Sequence, residues 1–155
     1  MTLSNWAKNE WLKPHQTSKQ EIAGLLSIVD RELRDAAIQG ISSDGKFNHA
    51  YRAALTLATA LLYSAGYMPA RGQSHHYRTI AALPLILGDS AKADSEYLET
   101  CRVKRNAAEY DAANEVSETE ADELLEFASE FSALVKGRLR RSVPHRSEEH
   151  TSELQ

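Results

Sequence analysis

The chain carries a single cysteine, Cys101, which excludes an internal disulfide framework and any multi-cysteine zinc site and fits a reducing compartment. It has no long hydrophobic run. The greasiest segment, Ala53 to Met68, is broken by Thr56, Thr59 and Ser64 and falls short of the about 20 apolar residues that cross a bilayer. The opening Met1-Thr2-Leu3-Ser4-Asn5-Trp6-Ala7-Lys8 lacks a positive stretch followed by an apolar one, so no secretory signal is expected and the reading is cytoplasmic. There is no phosphate-cradling glycine-rich loop and, before the last ten residues, no Glu-x-x-His pair, which argues against a di-iron carboxylate bundle. His75 and His76 are adjacent, so on a helix they point about 100° apart and do not form a metal-binding pair. No metal and no cofactor are expected.

An excess of positive charge is also missing. The formal net charge of the 155 residues is −4. The last ten, Arg146-Ser147-Glu148-Glu149-His150-Thr151-Ser152-Glu153-Leu154-Gln155, resemble the in-frame translation of a sequencing adapter and are set aside as a read-through artefact. They hold one arginine against three glutamates, so the remainder carries −2. A role with nucleic acid would then need a local patch rather than a basic face. The cluster Lys136, Arg138, Arg140 and Arg141 reads first as cations suited to the end of a helix.

What is present is helical periodicity and 42% apolar residues, enough for one core and one globular domain. A capping pattern Ser18-Lys19-Gln20-Glu21 precedes the stripe Ile22, Leu25, Leu26, Val29, Leu33, Ala36 and Ala37, with Gly40 as the expected stop. After an expected turn at Ser42-Ser43-Asp44-Gly45, a second stripe runs through Phe47, Tyr51, Ala54, Leu55, Ala58, Leu61, Leu62 and Ala65 and ends at Gly66 with Pro69 beyond. Its alanines predict close packing in the middle of a bundle. A third segment, Ser74 to Leu87, is divided or kinked by Pro84. A fourth, from Asp89-Ser90 through Ala93, Tyr97, Leu98 and Cys101, delivers the chain to Arg102 and Arg105. A second capping box, Ser117-Glu118-Thr119-Glu120, opens a long helix with Ala121, Leu124, Leu125, Ala128, Phe131, Leu134, Val135 and Leu139 inward. No segment alternates as a half-buried strand does, and no block repeats. Trp6 and Trp11 mark a short N-terminal helix or a partner surface.

Arg105-Asn106-Ala107-Ala108-Glu109-Tyr110 is the place where a cation, an amide, a carboxylate and a phenol crowd together without an apolar period to explain them. It is expected at the junction of two helices. Together with Phe47-Asn48-His49-Ala50-Tyr51-Arg52-Ala53-Ala54, the Gly66-Tyr67-Met68-Pro69 break and His75-His76, it makes residues Ser18 to Arg140 resemble a HEPN domain, the all-α module named for higher eukaryotes and prokaryotes nucleotide-binding. The likeness is to short bacterial single-domain members encoded beside a minimal nucleotidyltransferase in toxin-antitoxin pairs. It implies an all-α antiparallel bundle of four to five helices over 18–141 and a homodimer, which leaves an N-terminal segment 1–17 and a tail 142–155, expected to be disordered, that includes the suspected artefact 146–155. It also implies RNA or nucleotide as ligand and a nucleotidyltransferase-type partner protein.

Members that cleave RNA use an arginine, a polar residue and a histidine a few positions on, without metal. Carried over, Arg105 matches the arginine and Asn106 the polar residue, with Arg102 nearby on the binding side. Tyr110 stands where the histidine would fall. A phenol with an ordinary pKa of about 10 is ionised in roughly one molecule per thousand at pH 7, so it is a poor general base. The resemblance therefore implies an RNA- or nucleotide-binding component with a degenerate ribonuclease motif of Arg105, Asn106 and Tyr110. The alternatives are an active metal-independent ribonuclease toxin, with His75 or His76 supplying the imidazole, and a non-catalytic protein-interaction module. Surface pairing of Arg105 with Glu99, Glu109 or Asp111, and packing of the Tyr110 ring, are the bland readings of the same residues. Cys101, on an apolar stripe, reads as packing, and Arg52, Arg71 and Arg78 as flanks of a phosphate groove or as solubilising charge.

Overall fold

In a computed structural model the described residues are 1–72, 74–110 and 115–142, without the side chains of Glu109, Tyr110 and Ser142. Tail residues 143–155, including the suspected artefact, lie outside them. The chain forms α1 (Leu3–Lys8), β1 (Leu12–Pro14), α2 (Lys19–Ala36), α3 (Ser43–Ser64), β2 (Tyr67–Pro69), α4 (His75–Ala81), α5 (Leu83–Leu87), a 3₁₀ turn (Asp89–Ala91), α6 (Lys92–Tyr110) and α7 (Glu118–Ser142). The result is a mostly helical bundle.

The helix starts are written in hydroxyl side chains. Ser18 and Ser42 Oγ each accept the backbone N–H three residues on, at 3.0 Å. Ser117 makes the full reciprocal pair, its Oγ accepting from Glu120 N and its own N–H donating to Glu120 Oε1, both at 3.0 Å. At Ser18 only half of the expected box forms. The Glu21 carboxylate turns outward and accepts from Thr17 Oγ1 at 2.8 Å, with His15 Nε2 at 2.6 Å. Helix α2 stops at Ala36, before the expected Gly40, which takes φ 87° in the turn that leads to Ser42.

Helix α3 is the axis of the molecule. Its buried positions Phe47, Ala50, Tyr51, Ala53, Ala54, Leu57, Ala58, Ala60, Leu61 and Leu62 run around the helix rather than along one stripe, the pattern of a helix enclosed by neighbours. Helices α2 and α7 flank it most extensively, and α4, α5, α6 and β2 close the remaining sides. Val29, Ala36, Leu98, Leu124, Ala128, Phe131 and Val135 complete the core. The alanines do what the sequence led one to expect, letting backbones approach closely.

Among the described residues the bundle over 18–142 has six helices, α2 to α7, against the expected four to five, and the short N-terminal helix that 1–17 allowed also forms. Trp6 folds a short N-terminal helix whose ring is buried with Leu12, Leu62 and Ala82. Pro84 divides the third segment as expected, opening α5 in its first turn, where its missing N–H costs nothing. One small feature was not expected from the sequence. β1 and β2 pair antiparallel, Leu12 with Pro69, Lys13 with Met68 and Pro14 with Tyr67. Three-residue strands ending in proline show no alternation to read, and Gly66, at φ 95°, reverses the chain out of α3 to place β2.

Candidate functional site

Arg105 does not lie at a helix junction, as the sequence reading had it. Helix α6 runs on through Tyr110, so Arg105 and Asn106 are interior helical positions and the break before α7 comes later. Glu99, Arg102 and Arg105 recur at intervals of three and share one face. The height of that face is fixed lower down, where Leu98 and Cys101 are buried and Ser95 Oγ donates to the Ile80 carbonyl of α4 at 2.9 Å. The two guanidinium groups are thereby brought against α3 and the first turn of α4.

Three side chains from three helices meet there. The Arg105 guanidinium lies 5.2 Å from the centre of the Tyr51 ring. Tyr51, fully buried in α3, has its hydroxyl 3.2 Å from His76 Nδ1. The Tyr51 and His76 rings are 6.1 Å apart and tilted. Arg102 holds Glu99 through both its Nε and its Nη2, the latter donating to Oε2 at 3.0 Å. That fork engages one edge of the guanidinium and leaves further N–H donors on the group. Arg102 Cζ also stands 6.0 Å from the Tyr77 ring.

The electrostatics of the patch are set by burial and by the arginines. Burial raises the Tyr51 phenol far above its ordinary value against the opposing pull of Arg105 and Arg102, so the hydroxyl stays protonated. His76 is held below the ordinary imidazole value by burial, then by Arg105, Arg102 and His75. A neutral imidazole follows at neutral pH. In the tautomer with its proton on Nε2, Nδ1 accepts from the Tyr51 hydroxyl. In the other, Nδ1–H donates to the phenolic oxygen and Nε2 offers the lone pair that a general base needs.

The other sequence-derived residues are dispersed. Asn106 and His75 are exposed on α6 and α4, and Arg71 is exposed after β2. Tyr110 ends α6, but its side chain lies outside the described residues. Arg78 stacks its guanidinium on Trp11, 4.0 Å from the ring centre, and Arg52 faces Glu32 Oε1 at 3.6 Å. Of the C-terminal cations, Lys136 donates to Asp30 at 2.7 Å and Arg138 to the Ile86 carbonyl at 3.0 Å, and Arg140 and Arg141 are exposed. Burial lifts the Cys101 thiol to about 11, an unreactive packing residue.

A second polar cluster escaped the sequence reading. Glu32, 2% exposed in α2, sits with His49 Nδ1 at 2.6 Å and Arg31 Nη2 at 3.2 Å besides Arg52. Burial pushes its carboxyl up, but the hydrogen bonds from His49 and Arg31 and the Arg52 charge outweigh it, and the group titrates below its usual range. The signal was there: Glu32 follows Val29 by three and falls on the apolar stripe, a charged residue where a hydrophobic one belongs. Asp35 brings a third donor atom within 4.8 Å of those of Glu32 and His49. Two guanidinium groups on the same carboxylate repel a cation, so the arrangement is an ion-pair network. On another side, an open hollow of about 580 Å³ lined by Pro14, His15, Thr17, Tyr63 and Gly66 shares no residue with the arginine patch.

No helix among the described residues is long and apolar enough to cross a membrane. Compared with protein-family models, with curated proteins and with solved structures, the chain matches none.

Proposed function

We propose that the protein is a HEPN-like RNA- or nucleotide-binding component of a bacterial defence or toxin-antitoxin system, in which Arg102 and Arg105 receive phosphate. The observation that carries this reading is the Arg105 guanidinium over the Tyr51 ring, with the Tyr51 hydroxyl on His76. Two cations, a protonated phenol and an imidazole thus gather where three helices meet, in a chain with no global basic field. The order of the motifs along the sequence supports the family reading, and the motif Arg105-Asn106 is followed by Tyr110 instead of histidine. A homodimer and a nucleotidyltransferase-type partner belong to the same proposal.

A second reading, a metal-independent ribonuclease, is favoured by the same His76. The ribose 2′-hydroxyl attacks the adjacent phosphorus, its proton passing to the imidazole, while the guanidinium groups stabilise the added negative charge and the 5′-oxygen leaves with a proton. A third, the protein-interaction module, predicts no RNA binding. The experiment is to incubate the purified protein with RNA in the presence of a chelator. Binding lost in Arg105→Ala, without cleavage by the wild type, supports the first reading. Cleavage lost in both Arg105→Ala and His76→Ala supports the second. No interaction with RNA or nucleotide, and firm capture of a neighbouring gene product, supports the third.

A further inference from the structure

The described surface exposes five large hydrophobic side chains, Met1, Ile38, Tyr77, Val103 and Leu134, of which Tyr77 is the aromatic one, 42% exposed. It is also the one that stands beside the arginine patch. Tyr77 follows His76 in α4, Arg102 Cζ lies 6.0 Å from its ring centre and Arg78 Cζ lies 5.3 Å away. Both guanidinium groups stand over the ring within cation–π reach, and each is also held elsewhere. Arg78 is seated closer to Trp11, at 4.0 Å, and Arg102 is forked to Glu99, at the outer limit of a cation–π contact with Tyr77. The phenol ring is therefore left with accessible surface in a cationic setting, next to the groups proposed above to hold phosphate.

We infer that Tyr77 is a stacking platform for a nucleobase, and that the ligand of this surface is single-stranded RNA, its base on Tyr77 and the neighbouring phosphate on Arg102 and Arg105. This rests on the phosphate-site reading. The combination of an exposed aromatic face with flanking cations is what an unpaired strand requires, because a base can lie flat on a ring only when it is not already stacked in a helix. A duplex presents phosphates to the arginines but no free base face to Tyr77. The platform is tolerant of sequence, since every base has a π-face, and it favours purines, which offer more stacking area. Arg102 takes part twice. Its fork to Glu99 fixes the guanidinium beside the ring and leaves N–H donors that the fork does not use.

The test uses the full chain and fluorescence anisotropy with labelled ten-nucleotide oligoadenylate, oligouridylate, an RNA duplex of the same length, and inorganic polyphosphate as a ligand without bases. Expected results are tighter binding of the single strands than of the duplex, with oligoadenylate ahead of oligouridylate. Tyr77→Ala is expected to weaken single-strand binding roughly five- to tenfold, with Tyr77→Trp retaining it and Tyr77→Leu failing to. Polyphosphate affinity should be unchanged by Tyr77→Ala and reduced by Arg105→Ala. Single-strand binding that is indifferent to Tyr77→Ala but sensitive to Arg105→Ala overturns the platform and leaves the phosphate site standing. Indifference of every ligand to Arg105→Ala overturns the phosphate site itself. Equal affinity for duplex and single strand also overturns the platform. So does a Tyr77→Ala protein whose sedimentation shows a changed oligomeric state with RNA affinity unaltered, since the ring would then belong to a contact between copies.

Discussion

The Tyr51 hydroxyl and His76 Nδ1, 3.2 Å apart, join the enclosed central helix to the exposed rim of α4. The phenol is anchored by a fully buried ring and the imidazole is on the surface. One partner therefore fixes the other. The hydrogen bond orients Nδ1 inward and turns Nε2 away from the core.

Proton uptake by His76 should report on its cationic neighbours. Because burial, Arg105, Arg102 and His75 all hold it below the ordinary imidazole value, its ring protons followed by NMR should titrate below about 6.5. Arg105→Gln should move that midpoint upward. A depressed histidine favours the unfolded chain when protonated, so its linkage stabilises the fold fully above the ordinary histidine pKa and the contribution declines as pH falls through that range. An unchanged midpoint in Arg105→Gln would separate the two side chains electrostatically.

Removing the buried carboxylate of the second cluster should be destabilising. Glu32→Ala leaves His49 and two arginines without their common acceptor, and since those partners stay in reach of water a loss of about 1 kcal/mol is expected from urea unfolding at pH 7. Since the Glu32 pKa is lowered in the folded state, its contribution is present above the ordinary glutamate range and is lost as pH falls through the folded value. The gap between wild type and variant should close in acid. Equal acid sensitivity in both proteins would mean that the pairing contributes nothing.

Crowding the central helix tests the packing. Ala54 and Ala58 are wholly buried in α3, and Ala58→Leu is expected to cost about 1–3 kcal/mol by overpacking. The same substitution at Ala7 or another partly exposed position should be close to neutral. A neutral Ala58→Leu would indicate a looser core than the one described.

Much of this architecture was legible in the sequence, because its causes are local. Ser18 and Ser117 announce helix starts by capping chemistry, Pro84 announces a division, and the alanines of α3 announce a helix packed on several sides; Ser42 to Gly45, which read as a turn, instead cap and open α3. The two short strands were not legible, since three residues carry no period. The site was half legible. Arg102 and Arg105 stand out as spaced cations, but nothing local links them to Tyr51 and His76, which reach them only through the packing of α3, α4 and α6. The junction between the last two helices was expected within Arg105 to Val116, and Ala107 and Ala108 carry α6 on to Tyr110 before it, so that Arg105 itself is an interior helical position.

Placing a histidine at position 110, as the proposed HEPN-like reading would require of a nuclease, is a gain-of-function test. Tyr110→His is expected to introduce or increase metal-independent RNA cleavage, read on a labelled RNA with chelator present. A folded protein with no new activity would count against the proposed placement of the chemistry on α6.

The most direct test is to add single-stranded RNA to isotope-labelled protein and follow the arginine Nε–H signals together with the His76 ring. Shifts concentrated on Arg102, Arg105 and His76, with the His76 midpoint rising as phosphate charge offsets the guanidinium groups, are the expected result. Saturating RNA that leaves those three signals where they were, or moves only residues on other faces of the bundle, would contradict the proposed site.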